Sequence, residues 1–146
     1  MQFRFLHGIT IAALMVMHIA AAVDVPPPDQ KVTSKKVKGH LLGAQQGDYF
    51  HASVRTELGV EESFFVDDEI CFLAQNRKKE LSIEYDVIKR FFPEGSGYYP
   101  ANIIQSISTR AEKKRWVRNE NAAPTLAQWR ECSRDLLTLS NDRRGQ

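Results

Sequence analysis

Residues 47–66 read GDYFHASVRTELGVEESFFV, and this stretch carries the clearest structural signal of the 146-residue chain. Phe50, Ala52 and Val54 alternate with polar residues, which is the period of a β-strand with one buried face. Gly59 is suited to the loop of a hairpin, because glycine adopts the positive φ that such loops require. The second strand of the hairpin places Val60, Phe64 and Val66 on one row. The stretch therefore predicts an antiparallel β-hairpin.

The other row of the first hairpin strand consists of Tyr49, His51, Ser53 and Arg55. These side chains point away from the buried row, so we expect them on the protein surface. Aromatic and arginine side chains are frequent anchors of binding interfaces. We interpret Tyr49, His51 and Arg55 as candidate binding residues. The alternative is an ordinary solvent-facing row with Tyr49 packed at an edge.

The first 22 residues have the three parts of a secretory signal peptide. Arg4 is their only charged residue, residues 9–17 are apolar apart from Thr10, and small residues at positions 20–22 offer a cleavage point. A membrane anchor is the alternative, but the apolar run is shorter than the ~20 residues that a span requires. We therefore expect a periplasmic or secreted protein with no stable membrane anchor after cleavage.

Two cysteines, Cys71 and Cys132, follow this segment. In an oxidising compartment, an even pair of cysteines in a small domain predicts a disulfide. Two buried free thiols are the alternative. No third cysteine or nearby histidine suggests a metal site, and we expect no metal and no other cofactor.

Outside the hairpin, strands are predicted over 37–44, 81–88 and 102–109, and Gly39 inside the first of these indicates a bulge or sharp bend. A short helix is predicted over 69–76, with Asp67 or Asp68 as its N-cap. The apolar stripe of a last helix is formed by Leu126, Trp129, Cys132 and Leu136. The order is thus three strands, a short helix, two strands and an appended helix.

This is the element order of the five-stranded OB barrel. On that order, on the internal Gly39 and on the aromatic hairpin, residues 36–109 resemble the small exported OB-like or SH3-like β-barrel proteins of Gram-negative bacteria. The resemblance implies a mainly β (β+α) fold with a ligand face on the second and third strands. The expected divisions are a signal peptide (1–22), a disordered Pro/Lys-rich leader (23–35), the barrel (36–109), a basic linker (110–121), the C-terminal helix (122–140) and a tail (141–146).

Two further features are candidates for recognition. Tyr98 and Tyr99 beside a glycine-rich loop would form a stacking platform if exposed, or would plug the end of the barrel if buried. Trp116 lies in a basic run that fits either a phosphate or acidic-partner site or a charged linker. The run contains Arg110, Lys113, Lys114, Arg115 and Arg118.

No motif of a known catalytic site occurs in the sequence, and the expected function is therefore non-enzymatic. The net charge of +2 and the acidic residues between positions 57 and 69 speak against nucleic acid as a partner. We expect an exported module that binds a protein or another envelope component, in one version as an inhibitor or immunity protein. The alternatives are a small periplasmic hydrolase or nuclease with His51 as general base, and an oligosaccharide or single-strand binder that uses Tyr98 or Tyr99.

Overall fold

A computed structural model describes the backbone of residues 26–120 and 122–144 and the side chains of these residues as far as 140. The strands are β1 (Gln30–Gln46), β2 (Phe50–Thr56), β3 (Glu61–Phe65), β4 (Glu80–Phe92), β5 (Gly97–Thr109) and β6 (Arg115–Val117). The helices are α1 (Ile70–Gln75) and α2 (Leu126–Arg144), and one 3-10 turn spans Pro93–Gly95. The predicted signal peptide lies outside the described residues.

The predicted hairpin is present, with β2 and β3 paired in antiparallel register from His51 opposite Phe65 to Arg55 opposite Glu61. Phe50, Ala52 and Val54 are buried, as the alternation predicts. Phe64 and Val66 are buried too, whereas Val60 is 55% exposed and does not join the core. Val60 precedes Glu61, the first paired residue of β3. The conformation of the turn, and not the alternation of the strand, therefore decides where the Val60 side chain points.

The sheet has six strands in the order β3-β2-β1-β4-β5-β6, and its neighbouring strands run antiparallel. One additional parallel pairing joins β3 to β5, between Phe65 and Ile103. The prediction of a mainly β fold with a short helix between the third and fourth strands and a helix at the end is confirmed. The number of strands differs, because the predicted basic linker 110–121 contains β6.

The first strand also begins earlier than predicted. Residues 30–35, which we expected in a disordered leader, pair with β4, with Gln30 opposite Lys89. Two of the lysines that suggested a mobile segment are neutralised by this pairing, since Lys31 lies 2.9 Å from Asp86 and Lys36 lies 2.9 Å from Glu84. The strand therefore continues through a segment whose composition alone resembles a solvated leader.

Gly39 lies in β1, but the irregularity in the ladder to β2 falls later, between Leu41 and Gly43. What Gly39 permits is a close approach of two strands, because a Cβ atom there would lie 2.1 Å from the carbonyl oxygen of Arg55. The bulge itself is completed by α2. The Ser140 hydroxyl donates to the Ala44 carbonyl at 2.6 Å and accepts from the Ala44 N–H at 2.7 Å.

The N-terminus of α1 and the C-terminus of α2 differ from the prediction. The N-cap of α1 is Glu69, not Asp67 or Asp68, and its side chain makes no capping hydrogen bond because it is turned into the protein interior. A capping box precedes α2: the Thr125 hydroxyl accepts from the Gln128 N–H, and the Gln128 side chain accepts from the Thr125 N–H. The predicted tail is also partly helical, since α2 continues to Arg144.

A disulfide joins α1 to α2 through Cys71 and Cys132, whose Cα atoms are 5.0 Å apart, and the predicted pairing is confirmed. Beside it, Leu136 of α2 is fully buried in the main core. The disulfide fits an exported protein, because such bonds persist in oxidising compartments. Neither helix in the described part of the chain combines the length and the apolar character that a membrane crossing requires.

Candidate functional site

The outward row of β2 is joined by rings from three other segments. Tyr49 and His51 contact Phe65 of β3, Phe65 contacts Phe92 at the end of β4, and Phe92 contacts Tyr99 of β5. We call these five residues, Tyr49, His51, Phe65, Phe92 and Tyr99, the aromatic surface. The surface exists because the β4–β5 hairpin extends beyond the paired part of β2 and β3 and brings its end next to them.

The contacts within the aromatic surface are close and directional. The rings of Phe65 and Phe92 are stacked with centroids 5.3 Å apart, and Tyr49 meets Phe92 edge-to-face at 5.2 Å. His51 lies 4.3 Å from Phe65. Aromatic pairs in these arrangements contribute about 0.5–1.5 kcal/mol each beyond the area that they bury. These contacts therefore restrain the rings of the aromatic surface relative to one another.

A small apolar cluster supports the aromatic surface from below. Ile88, Ala101 and Ile103 are buried with Phe92, and Phe65 packs against them. This cluster is separate from the main core, which lies between the sheet and the helices. The aromatic surface thus rests on a packed base: Phe92 is buried with that base, whereas Tyr49 and Tyr99 remain exposed.

The tyrosine hydroxyls of the aromatic surface make hydrogen bonds to the β4–β5 turn. The Tyr49 hydroxyl donates to Glu94 at 3.1 Å, which joins the β1–β2 turn to the β4–β5 turn. The Tyr99 hydroxyl donates to the Gly95 carbonyl at 3.1 Å. Desolvation by the surrounding protein and the hydrogen bond to the Glu94 carboxylate raise the pKa of Tyr49. The phenol is protonated at neutral pH. Tyr49 and Tyr99 nevertheless remain 36% and 49% exposed.

A cleft of about 420 Å³ opens beside Tyr49 and Phe65 and reaches down to α2. Its two arginines are held in place, since Arg90 pairs with Asp29 at 2.7 Å and Arg118 pairs with Glu69 at 3.3 Å. The cleft is lined by Gln46, Gly47, Asp48, Tyr49, Phe50, Phe65, Val66, Asp67, Arg90, Ile103, Arg118 and Trp129. The lining therefore combines ring faces, two arginines that are paired within the protein, and the carboxylates of Asp48 and Asp67.

The partner of Arg118, Glu69, has no exposed surface. Burial raises the pKa of this carboxyl to about 7, although Arg118 and the Asp67 N–H favour its charged form. Arg118 is fixed from a second side, because its Nε–H donates to the Ile104 carbonyl at 2.7 Å. A buried carboxyl group with a pKa of about 7 thus lies behind Arg118, next to the cleft but outside its lining.

We expect Glu69→Gln to remove a pH dependence of stability. The folded-state pKa of Glu69 is raised above its unfolded value of 4.5, so the folded protein binds the extra proton between pH 4.5 and about 7. Stability therefore falls as pH rises through that window, by up to about 3 kcal/mol at ~1.4 kcal/mol per pKa unit. The free energy of unfolding is measured with urea at pH 5 and pH 8. It should fall between these pH values by more in the wild type than in Glu69→Gln.

Comparing the two proteins at each pH cancels the contributions that the other titrating groups make to the pH dependence of stability. One of these is His51, whose pKa is lowered by burial and which changes stability in the opposite direction. An equal difference between wild type and Glu69→Gln at both pH values would contradict the raised pKa.

The structure brings together three of the six binding residues predicted from the sequence, Tyr49, His51 and Tyr99. Arg55 is exposed at the other end of β2, and Tyr98 is 40% exposed on the opposite face of β5, where it contacts Phe91. Tyr98 and Tyr99 are both exposed, which contradicts the alternative in which they are buried. Trp116 does not join the aromatic surface, because β6 turns its side chain inward and it is buried in the main core.

Sequence reasoning missed Phe65, Phe92, Arg90 and Glu94. The alternation of β3 contained the signal for Phe65, because a strand with Phe64 and Val66 inward must place Phe65 outward. Phe92 and Arg90 had no such signal, since their position depends on how far the β4–β5 hairpin extends. Its 3-10 turn begins at Pro93, beyond residue 88, where the predicted strand ends.

No described side chain orients the His51 imidazole in the way that a general base is usually oriented. Within residues 26–120 and 122–140, its imidazole makes no hydrogen bond or ion pair, and its closest ring contact is Phe65. A histidine base is normally oriented by a carboxylate or another acceptor. The described residues also include no group of three or more metal-binding side chains. Comparisons with protein families, with curated proteins and with solved structures find no match to this chain.

Proposed function

We propose that this protein is an exported, non-enzymatic binding module that engages a protein or another envelope component through the aromatic surface and the adjoining cleft. The observation that carries the proposal is the exposure of Tyr49 and Tyr99 on a rigid, continuous cluster of rings. Solvent-exposed aromatic side chains on a packed base are typical of interface hot spots. An inhibitor or immunity protein is one form of this function.

We further propose that the sheet is an OB-like barrel. Support comes from the parallel pairing of Phe65 with Ile103, which brings β3 and β5 together although they lie at distant positions in the strand order. In barrels of this type the turns between the first and second strands and between the fourth and fifth strands flank the ligand. Here those turns are the ones that the Tyr49–Glu94 hydrogen bond joins.

The charges of the cleft favour a protein partner over nucleic acid. Arg90 and Arg118 pair with Asp29 and Glu69, and the lining also contains Asp48 and Asp67, so no excess of positive charge faces the phosphates of a nucleic acid. Mixed charge around an aromatic centre is typical of protein–protein interfaces. The periplasm or the exterior of the cell is the proposed location, because the disulfide requires an oxidising compartment.

We expect the double substitution Tyr49→Ala/Tyr99→Ala to weaken partner binding at least tenfold. Both side chains supply exposed ring area at the centre of the surface, and aromatic hot spots each contribute about 2 kcal/mol or more. The measurement is capture from an envelope extract by the immobilised protein, followed by titration of the captured partner while Trp129 fluorescence is recorded.

Tyr98→Ala is the matched control, because it removes an exposed tyrosine from the same hairpin but from the opposite face. It should leave both capture and affinity unchanged. The proposal fails if the double variant retains its partner, or if Tyr98→Ala loses the partner to the same extent.

A further inference from the structure

A second surface, independent of the proposed function, is a row of side chains that crosses four strands. Lys38 of β1 pairs with Ser82 of β4, Ser82 pairs with Ser108 of β5, and Ser108 pairs with Arg115 of β6. Residues directly opposite each other in antiparallel strands share one face, with Cβ atoms about 4.5–5.5 Å apart. We call Lys38, Ser82, Ser108 and Arg115 the cationic row. It presents an ammonium group, two hydroxyls and a guanidinium in that order.

The cationic row faces solvent. The residues on the opposite face of the same strands, Leu81, Ile83 and Ile107, have no exposed surface, so the serines point outward. Lys38 and Arg115 are exposed, whereas Ser82 and Ser108 are half-buried at the bottom of a depression of about 250 Å³. The depression is lined by Lys38, Glu80, Leu81, Ser82, Ser108 and Arg110.

The polar groups of the depression are largely unused within the protein. Across the side chains that the structure describes, no salt bridge or side-chain hydrogen bond engages those of Lys38, Arg110 or Arg115, nor the two serine hydroxyls. The lining therefore contains two cations, Lys38 and Arg110, and one carboxylate, that of Glu80. Arg115 lies beside the depression, at the end of the cationic row.

Glu84 lies one row further along the sheet and is already engaged. Its carboxylate accepts from Lys36 and from the Ser106 hydroxyl, each at 2.9 Å. These bonds, and more weakly the charge of Arg115, lower its pKa. Glu84 is therefore paired with Lys36 and does not neutralise the cations at the depression.

We propose that the cationic row, together with Arg110, binds a phosphate group of a phosphomonoester. Two neighbouring hydroxyl donors with cations on both sides offer more donors than a carboxylate can accept, and they fit the oxygens of a tetrahedral anion. Charge-assisted hydrogen bonds of this kind are shorter and stronger than neutral ones. The basic run that the sequence places around Trp116 thus supplies two ligands of the site, Arg110 and Arg115, while Trp116 itself anchors the strand in the core.

The test is a titration of the full exported chain with inorganic phosphate at constant ionic strength, followed by the amide resonances of Ser82 and Ser108 in NMR spectra. We expect saturable shifts of both resonances. Arg110→Gln and the double variant Ser82→Ala/Ser108→Ala should each weaken phosphate binding at least fivefold. All of these side chains are at the surface, and a thermal unfolding scan checks that the variants are folded.

Lys89→Gln is the matched control, because it removes one exposed positive charge from the far part of β4. It should bind phosphate as the wild type does. The proposal is overturned if the wild type shows no saturable shift, if the serine variant binds equally well, or if Lys89→Gln loses as much affinity as Arg110→Gln.

A second arm identifies the source of the phosphate. Phosphatidylcholine vesicles with and without phosphatidic acid are sedimented with the protein and with Arg110→Gln. Binding only to the phosphatidic acid vesicles, and its loss in Arg110→Gln, indicates a lipid headgroup. Saturable binding of inorganic phosphate without vesicle binding indicates a soluble phosphomonoester.

Discussion

Replacing Cys71 and Cys132 together with serine will lower the free energy of unfolding by about 4 kcal/mol. The disulfide spans a sequence separation of 61 residues, and closing a loop of that length removes this much conformational entropy from the unfolded chain. The remaining attachment of α2 includes Leu136 in the core, Trp129 edge-to-face with Phe50 at 5.4 Å, and Ser140 on the bulge of β1. We therefore expect the variant to fold with α2 in place but to unfold at a lower urea concentration.

The measurement is urea unfolding followed by tryptophan fluorescence, with and without reductant. Wild type in reductant should match the serine variant without it, because both lack the same bond. The serine variant should not respond to reductant at all. Equal unfolding midpoints for oxidised wild type and variant would show that the bond contributes nothing to stability.

Phe64→Ala will cost about 4 kcal/mol, and Phe65→Ala will cost less. Phe64 has no exposed surface and meets Tyr85 edge-to-face at 4.9 Å in the main core. Truncating a buried phenylalanine removes its burial and leaves a cavity, which together cost about 3–5 kcal/mol. Phe65 is only half-buried and faces the aromatic surface, so its removal leaves no closed cavity.

The two adjacent substitutions separate stability from binding. Chemical denaturation gives the stability of each variant, and titration with the captured partner gives its affinity. Phe65→Ala should lose affinity while staying folded, and Phe64→Ala should mainly lose stability. If Phe65→Ala proves as destabilising as Phe64→Ala, the division of β3 into an inner and an outer row is wrong.

Local alternation was sufficient to predict β2 and β3, because one buried face leaves a strict period of two in the sequence. It was not sufficient at the strand ends. The first residues of β1 contain several lysines, and their pairing depends on carboxylates of β4 that lie about 50 positions away in the chain. The short strand β6 was missed for a similar reason, since one inward Trp116 among basic residues does not produce a recognisable period.

The candidate site was predicted in part. Tyr49, His51 and Tyr99 are outward in their own strands, and that direction follows from local pattern. Their meeting point depends on the length of the β4–β5 hairpin and on the parallel approach of β3 to β5, which no local pattern encodes. The serines of the cationic row carry no signal of their own, because only the register of four strands places them between two cations.

The sulfur–sulfur link has a consequence for how the molecule is handled. A protease that cuts the backbone once anywhere between Cys71 and Cys132 yields two fragments that remain one covalent species. Such a nicked molecule migrates as intact protein in electrophoresis unless thiols are added. Electrophoresis without a reducing agent therefore does not reveal a cut between the two cysteines.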